Sequence, residues 1–537
     1  MRKRWRLLIG AVALAAIGLA GRMSFGPIHT LGPVGRCLAG GIDLNDPAPF
    51  TRARFGGSVV GLAASGGGSR AAYLEATILR EIRRAGSTLR LDLSSGRGSG
   101  LLDQIDAISS VSGGALAASY FTLHAENLKQ AEFDSDDWRV FLDKMAIEYR
   151  KRQWFRQAVL NPAIWIRSMF TDYNRGALAR DDYDAELFKG KSFHDLPARP
   201  ALYVNSFDVA NHVRFVMSKH YVDTTYYQDR DWWGKLSAPQ TLLSANDLSF
   251  ARIDPASVSL AEGAFASSAF PIAYPNLALK HCGSKILFQG QKIFLADGAL
   301  ADNSGLITLM TQLKAGFDAE ARGSTVVVIY IDASVDRIDS NGSKFQQLGI
   351  EEQYAWSNTV AGHAIESIFG AVALLQDLGW KLIEGTDVVT DQLNMNWPND
   401  LTTRTGTCGP AAKASWNNLF ASGSLAMRPL IIRLGLRDVI DPDFASTYGA
   451  GLVDRPELVP LLDANSVNDG IAELPKHLSR RLQSIPTDFT LSDGDRKLLD
   501  LAAFLLVHGK LSGDIAQWNE IHRSVMATPS TPTKCPG

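Results

Sequence analysis

Ser112 stands where a mostly apolar run, Ile105-Asp106-Ala107-Ile108-Ser109-Ser110-Val111, gives way to the small residues Gly113-Gly114-Ala115-Leu116-Ala117-Ala118-Ser119. A strand that turns sharply into a helix needs residues without bulk at the bend. It leaves the apex side chain exposed above the helix start. That presentation suits a nucleophilic serine. An ordinary strand-turn-helix in which Ser112 only caps the helix fits the same residues.

A second turn precedes it. Ser58 to Ala64 reads as a short buried strand, and Ala71 to Ala85 as a helix with a basic tail (Arg80, Arg83, Arg84). Between them lies Ser65-Gly66-Gly67-Gly68-Ser69-Arg70. Successive glycines let backbone amides converge at a helix N-terminus, which suits an anion. The Gly-Lys-Ser/Thr ending of a phosphate loop and the GxGxxG pattern of a dinucleotide site are both absent. An oxyanion formed in acyl transfer is the chemistry that remains; a plain turn is the alternative. Ser112 follows one strand-helix-strand unit later, and neighbouring parallel strands emerge at one sheet edge, so the two turns should open side by side.

A serine nucleophile also needs a base. Asp297-Gly298 follows the strand Lys292 to Ala296, and a partly desolvated aspartate there is basic enough to act. Taken alone, Asp297-Gly298 is better read as a simple turn. The other candidates are the downstream histidines His363, His477, His508 and His522, as in an α/β-hydrolase triad.

Together these segments resemble the patatin-like phospholipases and the related catalytic domain of cytosolic phospholipase A2. Four ordered blocks carry the resemblance: Ser65 to Arg70, Ser110-Val111-Ser112-Gly113-Gly114, Ala266-Ser267-Ser268-Ala269-Phe270-Pro271, and Asp297-Gly298-Ala299 with Asn303. Ile485-Pro486-Thr487-Asp488-Phe489-Thr490-Leu491 is similar to a segment of bacterial members, so the likeness spans about 55 to 510. It implies a three-layer α/β/α patatin-like fold with a mostly parallel central sheet and additional helices. It also implies a lipid acyl hydrolase with a Ser112–Asp297 dyad and no cofactor or metal in the chemistry. Gly66, Gly67, Gly68 and Gly113 would form the oxyanion hole, with Gly298 supporting. Arg70 would brace the glycine loop or meet a phosphate headgroup. The chain departs from the family pattern at Ser110, where the elbow usually has glycine, at Ser65 for a frequent aspartate, and at Ala71 for a frequent glycine. The last two changes move it towards the cytosolic phospholipase form. A lipid-binding scaffold that has lost the chemistry is the alternative function.

The remainder of the chain sets bounds. Its 537 residues are 46% hydrophobic and 20% charged, the composition of a globular protein. With 54 basic against 56 acidic residues and no basic stripe interleaved with aromatics, nucleic-acid binding is not expected. The basic Met1-Arg2-Lys3-Arg4-Trp5-Arg6 and the apolar run Leu7 to Gly21 read as an export signal or a single anchor over residues 1–24. The expected setting is therefore outside the cytoplasm, at a membrane surface, with a phospholipid or other acyl-ester lipid as substrate. The catalytic domain is expected over 55–525, with helical insertions and a C-terminal extension, and a disordered tail over 526–537. Cys37, Cys282, Cys408 and Cys535 show no zinc-ligand spacing; they are disulfides of unread pairing or buried thiols. The acidic run Asp134-Ser135-Asp136-Asp137-Trp138 lacks calcium-loop spacing and reads as a helix start. Ile365, Ile368, Phe369, Val372, Leu375 and Leu382 recur at near-helical spacing, as a core face or a lipid-touching one.

Overall fold

The computed structural model describes residues 31–38, 59–93, 100–147, 149, 173–209, 211, 213–220, 222, 245–270, 274–282, 292–316, 326–334, 337–338, 344–345, 430–440, 444–448, 481–482, 485 and 491–527. The N-terminal segment 1–24, the stripe from Ile365 to Leu382, His363, His477, Cys408, Cys535 and the final residues 528–537 lie outside them.

The large sheet comprises β1 (Leu31–Val34), β2 (Val59–Ala64), β3 (Ile105–Val111), β4 (Ala201–Asp208), β5 (Val213–Met217), β6 (Ala245–Asp247), β7 (Leu277–Lys280), β8 (Lys292–Asp297), β9 (Val326–Asp332) and β10 (Leu430–Gly435). Its order is β1-β7-β8-β4-β3-β2-β9-β10, with β5 beside β4 and β6 beside β5. From β4 through β3, β2 and β9 to β10 every pairing is parallel. Strands buried on both faces should be apolar throughout, without alternation. β2 is, and β3 is mostly so, its Asp106, Ser109 and Ser110 being buried polar residues; every residue of both strands is buried.

Alternate residues nonetheless go to different layers. Val60, Leu62 and Ala64 of β2 face one cluster and Val59 and Ala63 the other, as the period of two requires. The first cluster is covered by α1 (Gly68–Ala85), α2 (Gly113–Leu123), α3 (Asp136–Met145) and α4 (Leu260–Ser267). The second is covered by α5 (Leu306–Gly316), through Leu306, Leu309 and Leu313. The C-terminal helices α6 (Asp493–Leu505) and α7 (Ser512–Ala527) extend the first layer through Phe504 and Trp518. This is the three-layer α/β/α arrangement expected from the sequence. The acidic run opens α3, with Asp136 and Asp137 in its first turn. Cys37 and Cys282 form a disulfide. No described helix is long and apolar enough to cross a membrane.

Candidate active site

Ser112 sits between the last residue of β3 and the first of α2, with φ 51 and ψ −121. A non-glycine residue rarely adopts positive φ, and such strain persists only where surrounding contacts enforce it. Those contacts are present. The Ser112 amide donates to Ser267 Oγ at 2.8 Å, and Ser267 Oγ donates to the Asn205 carbonyl at 2.6 Å. Gly113 permits the approach from the other side: a Cβ there would lie 1.9 Å from the Gly68 carbonyl oxygen, so α1 and α2 start backbone against backbone.

Asp297 arrives by strand register. Val111 pairs with Asn205, and β8, running antiparallel to β4, sets Asp297 opposite Ser206, one step further on. Asp297 is thereby level with Ser112, and Ser112 Oγ donates to Asp297 Oδ2 at 3.0 Å. The other carboxylate oxygen accepts the Ala299 amide at 2.9 Å. Burial pushes the Asp297 pKa up to about 7, against the lowering pull of these two hydrogen bonds. A base in that range is partly ionised at neutral pH and still competent to take a proton. Gly298 gives room for the turn, since a Cβ there would meet the Asn205 oxygen at 2.3 Å.

The glycine turn faces the same point. Gly67 (φ 142) and Gly68 (φ 58) both adopt positive φ. Gly66, expected among the oxyanion donors, instead gives its amide to the Asn303 carbonyl at 2.9 Å; its lack of a side chain admits Asn303 and Ser112. Among the described residues, the amides of Gly67, Gly68 and Gly113 donate to nothing. They open α1 and α2, whose N-terminal amides and dipoles favour negative charge.

Residues 62–310 match the patatin-like phospholipase family. The resemblance carried by the glycine turn, the serine elbow and the Asp-Gly turn is borne out over those residues, a shorter stretch than the 55 to 510 expected. Among solved structures, human GIVD cytosolic phospholipase A2 is similar at 11% identity and a TM-score of 0.38; the match covers 87% of this chain but only 60% of that one. VipD from Legionella pneumophila is 12% identical with a TM-score of 0.22, covering 96% of this chain and all of that one. No curated protein matches the sequence.

Around this site, the remaining described candidates have defined places. Arg70 is buried, and its Nη1 donates to the Ile485 carbonyl at 3.1 Å, so it ties the glycine turn to the C-terminal segment. Burial lowers its pKa to about 10, with Asp332 opposing. His508 pairs with Glu81 Oε2 at 3.2 Å, whereas Ser112 Oγ bonds to Asp297. Ser65 Oγ accepts the Ala333 amide at 2.9 Å and so stitches the end of β2 to that of β9. Ser110, in the usual glycine position, is buried with an unpartnered hydroxyl.

Two residues that sequence reasoning passed over organise this shell. Asn205 donates through Nδ2 to Ser109 Oγ at 2.9 Å and the Ser110 carbonyl at 3.0 Å, and accepts from Thr308 Oγ1 at 2.6 Å. Ser267 lay inside the recognised small-residue block, but its hydroxyl carries a specific bond. A polar pair within otherwise apolar strand and helix sequence was the available signal for both.

Proposed function

We propose that the protein is a lipid acyl hydrolase that cleaves carboxylic esters of phospholipids or related lipids through a Ser112–Asp297 dyad. The Asp297 carboxylate takes the Ser112 hydroxyl proton as Oγ attacks the ester carbonyl. The negative charge that develops on the carbonyl oxygen is met by the amides of Gly67, Gly68 and Gly113 at the two helix starts. Protonated Asp297 then gives its proton to the departing alcohol. Water, deprotonated by the same carboxylate, releases the fatty acid from acyl-Ser112.

One observation carries this reading: a serine held at positive φ whose hydroxyl donates, at 3.0 Å, to a carboxylate raised by burial to about 7. The family match over residues 62–310 supports lipid esters as the substrate class. An exported or membrane-anchored location, with the catalytic domain outside the cytoplasm, is supported by the basic-then-apolar N-terminus and by the Cys37–Cys282 bridge. Labelling by a fluorophosphonate probe tests the chemistry, because wild type should react and Ser112→Ala should not. Mass spectrometry of products from a mixed lipid extract then identifies the ester cleaved. Lipid binding by an unlabelled wild type would make the protein a scaffold instead.

A further inference from the structure

Ser206 of β4 stands directly opposite Asp297 of the antiparallel β8. Partners at such a position project to the same face of the sheet, with Cβ atoms about 4.5–5.5 Å apart. The packing agrees. Val204 two residues before Ser206, Phe215 opposite it on β5 and Leu295 two residues before Asp297 all belong to the layer that holds α1, α2 and α4. Asn205, one residue earlier, turns its side chain the other way, to Thr308 of α5. Ser206 is fully buried, and its hydroxyl has no hydrogen-bond partner. Leaving a buried hydroxyl unsatisfied is unfavourable, so an idle donor beside a buried carboxylate asks for an explanation. In the resting site that carboxylate already holds two donors, the Ser112 hydroxyl on Oδ2 and the Ala299 amide on the other oxygen.

Building on the proposed Ser112–Asp297 chemistry, we propose that Ser206 is a positioning residue for deacylation, its hydroxyl turning to Asp297 once Ser112 carries the acyl group. Acylation makes Ser112 Oγ an ester oxygen, which has no proton to donate. The Asp297 carboxylate then keeps only the Ala299 amide, in an interior where an under-bonded charge is costly. A serine hydroxyl re-aims by rotation alone, and a carboxylate has lone pairs to spare. Ser206 Oγ–H donates to Asp297 and fixes its angle while an incoming water donates to a remaining lone pair. Asp297 takes that water's proton as the water oxygen attacks the acyl carbonyl. Ser112 Oγ leaves, recovers the proton from Asp297 and restores the resting pair. No covalent bond is made or broken at Ser206.

The test uses the full chain, a short-chain p-nitrophenyl ester and a fluorophosphonate. In Ser206→Ala the acyl-enzyme, read by intact-protein mass spectrometry after acid quench, should decay on the order of 10- to 100-fold more slowly, the scale of one hydrogen bond to a charged group. Fluorophosphonate labelling and the first acylation should keep their wild-type rates, because Ser206 is idle in the resting site. Tm should not fall, since the hydroxyl removed had no partner. Ser206→Thr and Ser206→Val share one shape and differ in the hydroxyl, so the threonine variant should deacylate faster. Wild-type decay in Ser206→Ala, or equal decay in the threonine and valine variants, would overturn the proposal. So would labelling slowed in step with decay, which would mark a structural role. Failure of the dyad reading itself would look different: wild type would go unlabelled.

Discussion

Ser267 Oγ accepts the Ser112 amide at 2.8 Å and donates its own hydroxyl to the Asn205 carbonyl at 2.6 Å, so one small side chain bridges the serine elbow to β4. All three groups are buried. Ser267→Ala leaves a donor and an acceptor without partners in the interior, at a cost of about 1–3 kcal/mol. Because the orphaned amide belongs to the strained residue, kcat should fall along with stability. Urea unfolding and steady-state kinetics on the same preparation check both. An unchanged kcat would show that the elbow is held by Gly113 and α2 alone.

In the proposed dyad, Asp297 should make the rate depend on pH in a defined direction. The active form of a general base is deprotonated, so kcat/KM should rise through about pH 7 and level off above it. The same shift acts oppositely on stability. Its folded pKa, raised by burial, lies above its ordinary 3.8, so the folded state holds a proton that the unfolded chain releases. Stability from this group is intact below pH 3.8 and is lost as pH climbs towards 7. Asp297→Asn should abolish turnover, yet unfold at a higher temperature than wild type at pH 8 and at a similar one near pH 4. Thermal melts at the two pH values decide it.

Glycines around the site should separate by what a methyl group would meet. In Gly113→Ala the new Cβ would lie 1.9 Å from the Gly68 backbone oxygen, and neither helix start can yield without moving the proposed oxyanion amides. Activity should drop by at least about 100-fold, the scale of losing one oxyanion donor. Gly190→Ala is the control: φ is +78 but nothing lies within 4 Å, so only backbone strain of about 1–2 kcal/mol is expected. Activity at a temperature where both variants are folded distinguishes them.

The elements that bear the chemistry were legible because their local demands are strong. Ser112 needed small residues after it, β2 needed a continuous apolar run and β3 a mostly apolar one, and the C-terminal end of β8 needed Asp297 before a glycine. Direction and register were not legible. That β8 runs antiparallel to β4, and thereby brings Asp297 opposite Ser206, depends on long-range pairing that no local pattern encodes. The same holds for Gly66. Three glycines in a row look like three equivalent amides, and only the folded loop shows that one is committed to Asn303. Arg70 read as loop support or a headgroup ligand, whereas its partner Ile485 is 415 residues away.

Two glutamates on α1, six residues apart, should respond oppositely to pH. Glu75 is fully buried with both carboxylate oxygens unpartnered, and burial raises its pKa well above the ordinary 4.5. Glu81 is as buried, and desolvation alone would raise it too; the His508 hydrogen bond with the Arg80 and Arg84 charges outweighs burial and lowers it. The proton held by Glu75 becomes a liability above pH 4.5, where the unfolded chain ionises. Glu75→Gln should therefore gain stability over wild type by about 1.4 kcal/mol per pH unit until the folded group itself ionises. Glu81 works the other way: its stabilisation is present above pH 4.5 and disappears as pH falls through its lowered folded value. Glu81→Gln strands Arg84 and a histidine that joins α1 to the C-terminal layer, while Arg80 keeps Asp500, and should lose about 3 kcal/mol at neutral pH. Urea unfolding at pH 5 and pH 8 reads both effects; a Glu75→Gln protein no more stable than wild type at pH 8 would mean that Glu75 is ionised and solvated in the fold.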